Sequence, residues 1–196
     1  MLLTTLGFFT AFFVVLFGTP SLIKVAKLKH LVDEPGEARK LHSRSVPTIG
    51  GIMIFSGFLF SFMLWFPSEM NHLMVPVTET KYLITMMVLL FFVGVKDDII
   101  GTAPLKKLVA HLIVAFILVM MAEIRITSMH GIFGVGELPE WASVLLTIFV
   151  YIVIVNAYNL IDGVDGLAGG IGFINCIVFG TWFYYSQQPH LSLVAY

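Results

Sequence analysis

Trp141-Ala142-Ser143-Val144-Leu145-Leu146-Thr147-Ile148-Phe149-Val150-Tyr151-Ile152-Val153-Ile154-Val155 carries no charge, and it runs directly into Asn156-Ala157-Tyr158-Asn159-Leu160-Ile161-Asp162-Gly163-Val164-Asp165-Gly166-Leu167-Ala168-Gly169-Gly170. The first half of this stretch decides the fold. It has neither the two-residue alternation of a half-buried strand nor the polar stripe of a surface helix, so it is apolar on every side. Similar runs occupy residues 2–23, 49–66, 82–95, 108–122 and 169–185. A bilayer crossing needs roughly 20 such residues, so the shorter runs must borrow their flanks or end at headgroup depth. The whole chain agrees: of 196 residues, 58% are apolar and only 12% charged, against about 25% charged in soluble domains. Mean hydropathy is +0.95. The expected fold is all-α, a polytopic membrane protein of about six helices forming one transmembrane domain. Residues 190–196 would open a seventh span.

A single cysteine, Cys176, excludes a disulfide scaffold and reads as a small buried hydrophobe. The net charge of −1 offers no basic excess for nucleic acid. The first run lacks a charged leader and a small-residue cleavage site, so it reads as a retained span. Lys24, Lys27, Lys29, Arg39, Lys40 and Arg44 follow span one, and Lys96, Lys106 and Lys107 follow span three. Nine of the eleven positive charges therefore fall on one side, and only Lys81 and Arg125 on the other. The positive-inside rule makes the richer side cytoplasmic and the N-terminus external. Every connection but residues 24–48 is short, and the external loops show scattered Glu, Ser and Gly without pattern.

Three polar clusters gather on the cytoplasmic side. In the first, Asp97 and Asp98 end a hydrophobic helix, where the partly negative carbonyls disfavour acids. A cation, a metal-bound pyrophosphate, or Lys106 and Lys107 would offset that cost; the plain alternative is a span end in water. In the second, Asn156, Asn159, Asp162 and Asp165 recur every three residues, which places neighbouring members on adjoining helical positions. Gly163, Gly166, Gly169 and Gly170 disfavour regular helix and let backbone approach a ligand. Two amides and two carboxylates at a membrane edge are costly unless they bind something, and oxygen ligands suit Mg²⁺. A Gly-rich turn with capping Asp and Asn is the plain alternative. The third, Arg39-Lys40-Leu41-His42-Ser43-Arg44-Ser45-Val46-Pro47-Thr48-Ile49-Gly50-Gly51, brings basic residues to the mouth of span two, either to hold phosphates or as an ordinary positive-inside anchor. His111, inside span four and one turn past Lys107, is either functional or a packing histidine.

Taken together, in this order and on this side, Ser45 to Gly51, Gly94-Val95-Lys96-Asp97-Asp98 and Asn156 to Gly170 resemble the polyprenyl-phosphate N-acetylhexosamine-1-phosphate transferases, glycosyltransferase family 4. The likeness spans nearly the whole chain. It implies transfer of a sugar-1-phosphate, GlcNAc-1-phosphate for the branch that starts O-antigen, teichoic-acid and lipopolysaccharide-type glycans, from a UDP-sugar to a polyprenyl phosphate such as undecaprenyl phosphate, with release of UMP. The branch that makes peptidoglycan lipid I, using a muramoyl-pentapeptide donor, is the alternative; it tends to carry Thr where Ile161 stands. The resemblance implies Mg²⁺ as cofactor with Asn159 as its ligand, and Asp97, Asp98 and Lys107 as the catalytic group at the lipid phosphate. It also implies Asp162, Asp165, Asn156 and Arg44 as substrate-binding. It implies a bacterial inner membrane, an active site facing the cytoplasm, and room for a homodimer. Members have about ten spans, so this chain reads as the N-terminal part of a longer transferase whose remainder carries another metal-binding Asp and a His-rich loop. A transporter or an inactive fragment are the rival classes; a transporter would place its charges near the midplane, whereas these lie at one face.

Overall fold

The computed structural model describes residues 2–33, 46–47, 49–65, 77–164 and 166–196. Each of the apolar runs is a helix. They are α1 Leu2–Leu28, α2 Gly50–Trp65, α3 Val77–Ile100, α4 Pro104–Phe116, α5 Glu140–Ile161, α6 Leu167–Tyr185 and α7 Pro189–Ala195. The chain is an all-α polytopic membrane protein. Among the described residues, Leu2–Leu28, Pro104–Met121, Glu140–Ile161 and Leu167–Tyr185 are long and apolar enough to cross a bilayer, while α2 is a shorter apolar helix. The shortest run, residues 82–95, gains its length as expected, because helix extends past it at both ends to make α3. Exposed side chains such as Phe17, Phe92 and Leu145 cover the outward faces; this is a surface for lipid rather than water.

The helices form two compact units, Met1–Val75 with Ile161–Tyr196, and Pro76–Leu160. In the first, α1 and α2 approach through small residues, the usual solution where lipid leaves little hydrophobic drive between helices. Ser61 Oγ donates to Gly7 O at 2.6 Å and Trp65 Nε1 to Thr10 Oγ1 at 2.8 Å. A Cβ on Gly57 would lie 2.7 Å from Val15 Cγ2 and 3.1 Å from the Ala11 carbonyl. Gly57→Ala must therefore push the two helices apart, at a cost of about 1–3 kcal/mol. Thermal unfolding in detergent should show a lowered midpoint, while Gly94→Ala, with open space around it, should not. The first loop contributes a two-residue antiparallel pair, Val32↔Pro47 and Asp33↔Val46; Pro35 and Gly36 lie outside the described residues. At the other end of this unit, α7 folds back on α6: Ser192 Oγ donates to Gly180 O at 3.1 Å.

The second unit is built on α3, α4 and α5. Met86, Val114 and Ala122 form its buried cluster, with Tyr82, Leu90, Ile117, Leu118 and Tyr151 packed around it. After α4 the helix widens into a π turn at Ile117–Met121. Residues 122–139 differ from the expected short, patternless connection. They form a closed hairpin with Ser128 bridged to Glu137 and Met129 N donating to Gly136 O at 2.9 Å. Backbone hydrogen bonds hold it, which is why no side-chain periodicity announced it. Cys176 is also not buried: it is exposed on α6, whose only buried residue is Gly180, near the contact with α7.

Candidate functional site at the helix ends

Helix α3 ends at Ile100, and Gly101 takes φ +75°, the left-handed turn that a side chain would strain. Its amide donates back to Asp97 O at 2.9 Å. Thr102 and Ala103 complete the reversal, and Pro104 opens α4 in the first helical position, where its fixed φ is favourable. This tight connection determines which side chains meet. Asp97 stands one turn before the end of α3 and Lys107 one turn into α4.

They meet closely. Lys107 Nζ lies 2.6 Å from Asp97 Oδ2, both side chains being about a quarter exposed. Burial alone would raise the Asp97 carboxyl, but the hydrogen bond and charge of Lys107 outweigh it and hold it below its ordinary value of 3.8. Thr102 adds a smaller effect of the same sign, although its buried hydroxyl has no partner within hydrogen-bonding geometry. Each member of this pair sits at the wrong end of its helix. A carboxylate near a C-terminus and an ammonium near an N-terminus both oppose the helix dipole. Each offsets the other's penalty, so the arrangement brings together two charges that neither helix would place there for its own stability. Asp98 is exposed on the same last turns of α3.

The second cluster starts on α5. Asn156 and Asn159 are helical and exposed, three residues apart on one face. Asn156 Nδ2 donates to Ile152 O at 2.8 Å, which commits an amide N–H to its own helix. Asn159 stands in the last turn. Asp162 is exposed in the turn that follows, within the first unit. Gly166 takes φ +74°, and α6 begins at Leu167, so Gly169 and Gly170 lie in its first turn, at the start of the span expected over 169–185. In a bilayer the backbone is best satisfied by resuming helix. Asp165 and Arg44 lie outside the described residues, as do most of residues 39–48.

The geometry thus brings Asp97 and Lys107 together and sets two exposed amide residues, Asn156 and Asn159, near the end of α5. Among the described residues, no three His, Cys, Asp or Glu side chains gather to hold a metal ion. The available donors are oxygens, as Mg²⁺ prefers. Sequence reasoning did not single out Thr102. Its hydroxyl beside Asp97 follows from the turn, which no residue pattern encodes.

Residues 80–196 match the family described as glycosyl transferase family 4. The undecaprenyl-phosphate alpha-N-acetylglucosaminyl 1-phosphate transferase of Salmonella typhi is 32% identical over 171 residues, which cover 87% of this chain and 44% of that protein. The protein of the same name from Escherichia coli K12 is 27% identical over 176 residues, with the same coverage. A decaprenyl-phosphate N-acetylglucosaminephosphotransferase of Mycobacterium tuberculosis is 30% identical over 173 residues, 86% of this chain and 42% of that protein. The chain thus spans a little under half the length of these relatives. No solved structure matches it.

Proposed function

The chain belongs to glycosyl transferase family 4, and from that premise we propose that it takes part in moving GlcNAc-1-phosphate from UDP-GlcNAc to a polyprenyl phosphate, releasing UMP. The observation that carries this reading is the Lys107–Asp97 pair at the facing ends of α3 and α4. Its charges sit at one end of apolar helices, where a lipid phosphate meets a soluble nucleotide. The names of the similar proteins favour the GlcNAc-1-phosphate branch over the lipid I alternative.

Phosphoryl transfer of this kind depends on positioning and on neutralising phosphate charge. Lys107 supplies one positive charge, and Asp97 fixes the direction of its ammonium. A phosphate monoester is already largely ionised near neutral pH, so the acceptor needs little deprotonation and Asp97 orients rather than abstracts. Asp98 belongs to the same catalytic group. Asn156, Asp162, Asp165 and Arg44 are the substrate-binding residues of this reading. Mg²⁺, held by Asn159, would neutralise the pyrophosphate oxygens. In this reading the full transferase lies in the bacterial inner membrane with this site facing the cytoplasm, and the present residues form part of its transmembrane domain.

The orientation has its own test. In a Cys176→Ser background, Asp98→Cys should resist a membrane-impermeant maleimide in intact cells and react in inverted vesicles. Labelling from outside would reverse the topology. For the activity, the full-length protein should release UMP from UDP-GlcNAc only when a polyprenyl phosphate is supplied. UMP release that ignores the lipid acceptor would contradict the assignment.

A further inference from the structure

Among the described residues, His111 is the only ionisable side chain that is buried, at 6% exposure, and its Nδ1 has no hydrogen-bond partner. It follows Lys107 by four residues and so shares its face of α4. Side chains of a helix lean toward its N-terminus, which tilts the imidazole back over the turn that carries Lys107. Thr102 Oγ1, beside the Asp97 carboxylate, is likewise buried and unpartnered. Buried polar atoms are almost always satisfied, by protein or by ordered water, so each of these two atoms calls for a polar partner. Lys107 has three N–H groups, and Asp97 takes one of them.

We propose that His111 is a positioning residue for Lys107: its neutral imidazole accepts at Nδ1, through one buried water, a second N–H of the ammonium. The third N–H is then aimed at the acceptor phosphate. The proposal rests on the transferase reading for its consequence in turnover, but the link between His111 and Lys107 stands on the geometry alone.

Two variants separate positioning from packing. His111→Leu puts an apolar side chain of similar size there and removes the acceptor, whereas His111→Gln supplies an accepting oxygen at similar reach. In the full-length enzyme, His111→Leu should raise KM for the polyprenyl phosphate and lower kcat/KM about tenfold, the effect of losing one hydrogen bond to a charged group. KM for UDP-GlcNAc should not move, and His111→Gln should recover most of the loss. If His111 only packs, the order reverses, Leu being tolerated and Gln not, and the proposal fails. A measurement free of turnover decides the link itself. In ¹⁵N-histidine-labelled protein in nanodiscs, Lys107→Met should shift the His111 Nδ1 resonance toward that of a free acceptor, while Lys107→Arg should leave it near wild type. A resonance that stays put in both variants, or moves equally in both, overturns the proposal. Absence of UMP release by the wild type would refute the transferase reading, and the resonance would still settle the His111 link.

Discussion

Asp97→Asn should lower turnover about 10²–10³-fold while the protein still inserts and folds, the scale seen when one preorganised electrostatic partner is lost from a shielded site. At 1.36 kcal/mol per tenfold, that is about 3–4 kcal/mol of barrier. The cause is specific. The amide oxygen can still accept from Lys107, but without its charge the 2.6 Å ion pair becomes an ordinary hydrogen bond and the ammonium regains its rotamers. The acceptor phosphate then meets a mobile cation instead of a fixed one. The same pair sets a pH dependence. Asp97 is lowered in the fold, so its contribution is complete above its ordinary value of 3.8 and is lost only as pH falls through the lowered value. The wild type should keep the pair through mildly acidic pH. Wild-type turnover in Asp97→Asn would reduce the pair to a helix-end feature.

Asn159→Ala should raise the Mg²⁺ concentration for half-maximal rate about tenfold or more, since even groups that merely orient a ligand cost 10–100-fold in metal affinity. Asn159 stands exposed in the last turn of α5, and its amide oxygen is a weaker donor than a carboxylate. It suits a cation that completes its shell with substrate oxygens. Titrating rate against Mg²⁺ in both proteins is the check. An unchanged midpoint with a lower plateau would assign Asn159 to the substrate and not to the cation.

Much of this was legible in the residues, for identifiable reasons. Apolar runs have no partner but lipid, so each became a helix near its expected limits. Adjacent acids at a helix end require a positive neighbour, and of the two lysines considered it is Lys107 that pairs with Asp97. What stayed hidden was set by backbone. The reversal at Gly101 decides which lysine arrives, and a single positive φ leaves little trace in composition. The hairpin within residues 122–139 is held by main-chain bonds such as Gly131 N to Val135 O, and its side chains show no alternation. His111 carried two readings in the sequence, and its burial beside the ion pair became visible only when α3 and α4 were set together.

In the proposed transfer the phosphorus moves with the sugar. UDP-GlcNAc labelled with ³²P at the β-phosphate, incubated with the full-length protein, Mg²⁺ and undecaprenyl phosphate, tests it directly. The label should pass into the organic phase as a lipid diphosphate sugar, in step with unlabelled UMP. Label that remains in water as UDP, while the sugar alone reaches the lipid or nothing does, would contradict it.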